Sequence, residues 1–268
     1  MRTRLRATLI TSIVLASLPG IVHTRSNDDR RRFELVSIDD AGAQANNDND
    51  RASISADGRY VAFASIANNL VPGDTNDFSD VFVRDRARGR TEGITTRRPT
   101  DTFTGQSFVT SISRDGRFVG FESTDVTLVR NARNGFFSDA FVFDRERGRL
   151  QLVSRSSDGE QGNNDSFGAL VSDDGRFVVF TSRASNLVRR DDNESADVFR
   201  RDLEEGETER LAADDTSADQ PFGFDVVATD ITPSAGRLAL LTRADLAPEQ
   251  DVGFFVADVY VLDAPTRR

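Results

Sequence analysis

Hydrophobic positions in this chain come in short runs bounded by Asp, Asn, Gly and Pro, and no sustained helical periodicity interrupts them. In the run Tyr60-Val-Ala-Phe-Ala-Ser65, Tyr60, Ala62 and Ala64 share one face and Val61 and Phe63 the other. A strand that is apolar on both faces belongs between stacked sheets. Before it, residues 51–56 alternate small and apolar side chains. Asp57-Gly58 lies between the two, the dipeptide of a type I′ hairpin with positive φ at both central residues. A loop through Asn68, Asn69, Pro72, Gly73, Asp74 and Asn76 follows. The pattern then predicts a third strand at Asp80-Val-Phe-Val-Arg84, a turn from Asp85 to Gly89, and a polar outermost strand over 91–95.

This unit recurs. Ser55-Ala-Asp57-Gly58-Arg59 returns as Ser113-Arg-Asp-Gly116-Arg and as Ser172-Asp-Asp174-Gly175-Arg176, with a worn copy at Ser234-Ala-Gly236-Arg. Taking Gly58, Gly116, Gly175 and Gly236 as the turn glycines gives steps of 58, 59 and 61 residues. Asp80, Asp139, Asp197 and Asp258 each open the third strand, and Asp85, Asp144, Asp202 and Asp263 stand five residues later. A fixed period of this size marks a repeat architecture, and four short strands per repeat describe a propeller blade. Copies one and three also agree at an offset of 117 in the loops 42–48 and 159–165, which reads as a doubled two-blade unit.

With Ser55-Ala-Asp57-Gly58-Arg59 and Asp80-Val-Phe-Val-Arg-Asp85 in view, the chain resembles the TolB-type β-propeller repeats, a branch of the WD-like propellers. The resemblance covers nearly everything after the first two dozen residues and implies an all-β fold. The second copy departs from the pattern at Ala140, and the fourth has Ala235 where the turn aspartate is expected. The expected architecture is a four-bladed propeller of four-stranded antiparallel blades, with repeats at about 49–95, 106–154, 164–212 and 222–263. The fourth copy ends without an outer strand, and Phe33-Glu-Leu-Val-Ser37 aligns with the outer strand Leu150-Gln-Leu-Val-Ser154. Segment 33–37 is therefore expected to complete the last blade and close a monomeric ring, because a closed seam leaves no open sheet edge. An eight-bladed ring built from two chains is the competing arrangement.

Arg2, Arg4 and Arg6 followed by a mostly apolar run over 7–22 read as a secretory leader over 1–24, leaving one domain over 25–268. The run falls short of the roughly 20 apolar residues of a membrane-spanning helix. No membrane span is expected after leader removal, and the expected location is the periplasm or the cell exterior. Formal charge is 34 − 44 = −10, with arginine supplying every basic residue. Scattered arginines in an acidic field argue against nucleic acid as a partner.

There is no cysteine, and the one histidine, His23, lies within the leader. This excludes a Ser-His-Asp triad, a thiol nucleophile and a His- or Cys-based zinc site from the mature chain. The expected function is a non-catalytic binding scaffold for a protein, peptide or glycan. The alternative is a carboxylate- or metal-dependent carbohydrate enzyme, since Asp and Glu are plentiful. Aspartates repeated once per blade read as turn formers and backbone acceptors. Two loops share a pattern of alternating oxygen donors that suits calcium: Asp74, Asn76, Asp77 and Asp80 in the first, and Asp191, Asn193, Glu194 and Asp197 in the second. Turn formation by Asn and Asp explains the same composition without an ion.

Overall fold

The computed structural model describes residues 32–96, 105–128, 130, 134–193, 195–213, 225–244, 246 and 257–265. The leader over 1–24 and Glu194 lie outside the described residues. Among the described residues fifteen strands form four antiparallel sheets, each a meander in chain order. The first sheet is β1 (Asn49–Ile54), β2 (Tyr60–Ser65), β3 (Asp80–Asp85) and β4 (Arg90–Gly93). The second is β5 (Ser107–Ile112), β6 (Phe118–Ser123), β7 (Asp139–Asp144) and β8 (Arg149–Leu152). The third is β9 (Ser166–Val171), β10 (Phe177–Ser182), β11 (Asp197–Asp202) and β12 (Glu207–Ala212), and the fourth is β13 (Val226–Ile231), β14 (Arg237–Thr242) and β15 (Asp258–Asp263). The fold is all-β and of the propeller kind, with each repeat one sheet as its pattern predicts.

Consecutive sheets bury their middle strands against one another. Val81 and Val83 of the first sheet meet Val109, Phe121 and Phe141 of the second. Ala140 and Val142 of the second meet Phe180 and Phe199 of the third, and Phe177, Val179 and Val198 of the third meet Val226, Leu238 and Leu240 of the fourth. Phe63–Phe82, Phe121–Phe141 and Phe180–Phe199 stack at 5.2–5.7 Å between ring centroids, one pair in each of the first three sheets. Backbone bonds of 2.7 Å stitch the seams at one repeated place, from Ser107 N–H to the Ser79 carbonyl, Ser166 to Ser138 and Val226 to Ala196. Filling the faces with Phe and Val gives each seam a dry core, which is what a chain without disulfides needs.

Two turn expectations are corrected. Among the residues of the first hairpin turn only Gly58 has positive φ (69°), so the turn is not type I′. Instead Gly58 N–H bonds the Ser55 carbonyl, Ser55 N–H bonds the Tyr60 carbonyl, and the Asp57 carboxylate accepts from Ser55 Oγ and Arg59 N–H. The serine and aspartate side chains supply the hydrogen bonds that a tighter turn would leave to the backbone. In the fourth copy the left-handed position belongs to Ala235 (φ 51°), not Gly236. Arg237 pairs with Asp263 as Tyr60 pairs with Asp85, so the register moves the true equivalent of Gly58 one residue earlier.

The seam between the last and first sheets differs from expectation. Segment 33–37 is not a strand and does not pair with β15, and among the described residues the fourth sheet has three strands with β15 at its edge. The segment is held against the first sheet instead. Arg84 Nη1 and Thr91 Oγ1 both donate to the Ile38 carbonyl, and Arg86 reaches Glu34 at 2.5 Å. The bridge Ile38–Gln44 has its counterpart in Arg155–Gln161, so the offset of 117 seen in sequence is real in space. It carries a specific device. Arg201 repeats Arg84, donating to the carbonyls of Arg155 and Ser156 and to Thr208 Oγ1.

Candidate functional site

The repeated aspartates are absorbed by the sheets. Arg59 clasps Asp85 through Nε–Oδ1 at 2.9 Å and Nη2–Oδ2 at 2.7 Å, and Asp85 Oδ1 also accepts from the N–H groups of Ala87 and Arg88. Arg117 with Asp144 and Arg176 with Asp202 repeat the clasp. The Arg59 guanidinium, together with the turn N–H groups, holds the Asp85 carboxyl down at about 2. Each clasp arginine lies over the ring of the next residue, Tyr60, Phe118 or Phe177, at 4.6–4.9 Å. Charge, hydrogen bonding and ring contact thus tie β2 to the β3–β4 turn in every full sheet.

In the first three sheets the aspartates that open the third strands are buried, and Asp80 and Asp139 are fastened to hydroxyls just past the outer strand. Thr95 Oγ1 donates to Asp80 Oδ1 at 2.5 Å, and Ser154 Oγ to Asp139 Oδ1 at 2.7 Å. Burial pushes Asp80, Asp139 and Asp197 above the ordinary carboxylate range, with the hydrogen bonds working against it.

The two loops with the calcium pattern come out differently. In the first, Asn76 Nδ2 donates to Asp80 Oδ2 at 2.9 Å while Asn76 Oδ1 accepts from Phe78 N–H. Asp77 is exposed, and Asp74 is buried. Burial and then the Asp80 charge push Asp74 up to about 7. In the second loop Asn193 Nδ2 donates to Asp197 Oδ1, and Arg210 Nη1 stands 3.0 Å from Asp197 and 3.5 Å from Asp191. Among the described residues no three acidic or histidine side chains converge as a metal cage.

A cleft that the sequence did not mark lies between the second and third sheets. It has a volume of about 690 Å³ and is lined by Leu128, Arg130, Asn134, Arg155, Gln161 and Asn163, among others. Its polar walls are pre-positioned. Asn134 Nδ2 and Gln161 Nε2 both donate to Asp139 Oδ2, at 2.9 and 2.6 Å. Asn163 N–H donates to Asn186 Oδ1, and Asn186 Nδ2 to the Gln161 carbonyl. Arg155 sends Nη2 to the Gly159 carbonyl, but its Nε–H is sealed from solvent with no acceptor. The only hint in sequence was the loop 159–165, whose likeness to 42–48 advertises a scaffold loop. A second, more open depression of about 410 Å³ contains Arg51, Glu122 and Arg183, whose charges are paired within the protein, Arg51 to Glu122 at 2.6 Å and Arg183 to Asp225 at 2.5 Å.

No family profile and no curated protein matches the chain. Among solved structures it is similar to TolB from Acinetobacter baumannii, with 17% identity and a TM-score of 0.48, covering 81% of this chain and 41% of that one. A putative TolB from Agrobacterium tumefaciens gives 16% identity and a TM-score of 0.48, covering 80% and 61%. The β-propeller domain of the Trilobed protease from Pyrococcus furiosus gives 11% and 0.45, covering 81% and 55%. The chain thus spans about two fifths to three fifths of the length of these structures. These likenesses concern the fold alone, and the four meander sheets with their seams describe a β-propeller arrangement directly.

Proposed function

We propose that the protein is an exported, non-catalytic binding scaffold whose cleft between the second and third sheets holds an extended, carboxylate-bearing peptide segment of a partner protein. The observation that carries this reading is Arg155. Its guanidinium lines the cleft together with that of Arg130, and a carboxylate is the group that pairs most strongly with guanidinium donors. Fixed side-chain amides on Asn134, Gln161 and Asn163 are matched to peptide N–H and carbonyl groups. Among the described residues no aromatic ring lines the cleft for a sugar to stack on.

The export part of this proposal rests on the expected leader over 1–24. Cell fractionation with N-terminal sequencing of the mature protein checks this part.

The binding reading is tested on an array of acidic and neutralised peptides, with Arg155→Met as the paired variant. Selective binding of acidic peptides, weakened about 10–100-fold in the variant, supports it, that being the scale of one charge-assisted hydrogen bond. Binding indifferent to peptide charge or to Arg155 overturns it. So does turnover of a polysaccharide that stops when a cleft carboxylate is changed.

A further inference from the structure

At the offset of 117 the first and third sheets each bring two carboxylates together: the Asp80 charge acts on Asp74, and Arg210 contacts both Asp191 and Asp197. Two buried carboxylates held together need either a proton or a counter-charge. In the third sheet Arg210 provides it, bridging both carboxylates from β12. Arg210 stands opposite Phe199 across the β11–β12 ladder, and the residue opposite Phe82 in the first sheet is Gly93. Glycine brings no charge. Among the described residues the donors to Asp80 are neutral, Thr95 Oγ1 and Asn76 Nδ2. Asp74 is 7% exposed, and its Oδ1 is sealed from solvent with no hydrogen-bond partner.

We propose that the space filled by the Arg210 guanidinium in the third sheet is, in the first sheet, a site for one calcium ion bound between Asp74 and Asp80. The donors are all oxygen, which selects a hard cation, and an irregular shell suits calcium better than magnesium, which demands an octahedron. Two carboxylates need water to complete the shell. The affinity therefore belongs to the weak range of extracellular calcium modules, about 10⁻⁴–10⁻³ M. Arg210 closes the third sheet to the same ion, so the repeat carries one site where its sequence pattern suggests two. Nothing in this site depends on the occupant of the cleft.

The test uses the whole metal-stripped protein, titrated with calcium chloride by calorimetry and followed by thermal melting. One calcium per chain and a melting temperature raised at millimolar calcium are expected. Asp74→Asn removes both effects and Asp191→Asn leaves them. Should Asp74→Asn fail to fold, the stoichiometry of the unaltered protein still decides. Absence of heat with a melting curve unmoved by calcium or chelator overturns the proposal, as do two calcium ions per chain or equal binding of magnesium.

Discussion

Val261 occupies in the fourth sheet the place that Val83 holds in the first, opposite Ala239 and Ala62 respectively, yet Val83 is fully buried and Val261 is 73% exposed. The two strands, Asp-Val-Phe-Val-Arg-Asp and Asp-Val-Tyr-Val-Leu-Asp, share both valines and differ in whether a following sheet covers them. Val259 shows the same contrast with Val81, at 72% against 0%. Truncation should therefore be felt at one end of the array and not the other. Val83→Ala is expected to cost about 2–3 kcal/mol through lost burial and a residual cavity. Val261→Ala is expected to cost less than about 0.5 kcal/mol. Denaturant midpoints of the two variants at a common slope check this, and equal losses would place an unseen neighbour over β15.

The clasp between Arg59 and Asp85 sets an acid limit. A carboxyl whose folded-state pKa lies below its unfolded value adds stability that is complete above the unfolded value and is lost as pH falls through the folded one. For Asp85 that window runs from the ordinary 3.8 down to about 2. Asp144 shifts the same way through Arg117, and Asp202 does so through Arg176 although burial opposes it. Stability should decline below pH 4, and Arg59→Met should move acid unfolding to higher pH. Circular dichroism across pH 2–6 reads the shift, and an unmoved midpoint would show that the clasp contributes nothing to acid resistance.

The turn at Gly116 has φ 75°, and a Cβ there would land inside the Tyr60 ring, across the seam between the first two sheets. Ala235 already accepts the equivalent left-handed conformation in the fourth copy. Gly116→Ala is expected to destabilise by about 1–3 kcal/mol through strain and displaced packing. Ala235→Gly should stabilise by about 0.5–1 kcal/mol, since it relieves strain although it also frees the unfolded chain. Thermal melts of both variants suffice, and the same sign for both would refute the assignment of Ala235 to the glycine position.

Removing Arg210 should expose the pair it serves. Arg210→Met leaves Asp191 and Asp197 buried without their counter-charge, a loss on the order of 3 kcal/mol for a broken buried ion pair. Added calcium should return part of that stability by filling the vacated position. Melting temperatures with and without calcium report the effect, and a variant as stable as the parent would remove the counter-charge role.

Which residues pair within a sheet was legible along the chain because every partner lies nearby. Asp80, Asp139, Asp197 and Asp258 open third strands as the period predicts. Turn chemistry was read less well. Asp57-Gly58 suggests a type I′ turn until the Ser55 hydroxyl, which accepts Tyr60 N–H and donates to Asp57, is allowed for. The calcium pattern was visible in both loops. What separates them is Gly93 against Arg210, a difference on another strand that only the sheet register brings to the site.

The sequence by itself determined the repeat, the four sheets and the strands within them, since period, strand alternation and turn residues are local properties of a chain. Tertiary structure alone decided how segment 33–37 lies, which faces of the end sheets stay bare, and which arginine meets which carboxylate. Those outcomes depend on how successive sheets are rotated and spaced. Distant side chains such as Arg155, Asn134 and Asn186 become neighbours only once that geometry is set.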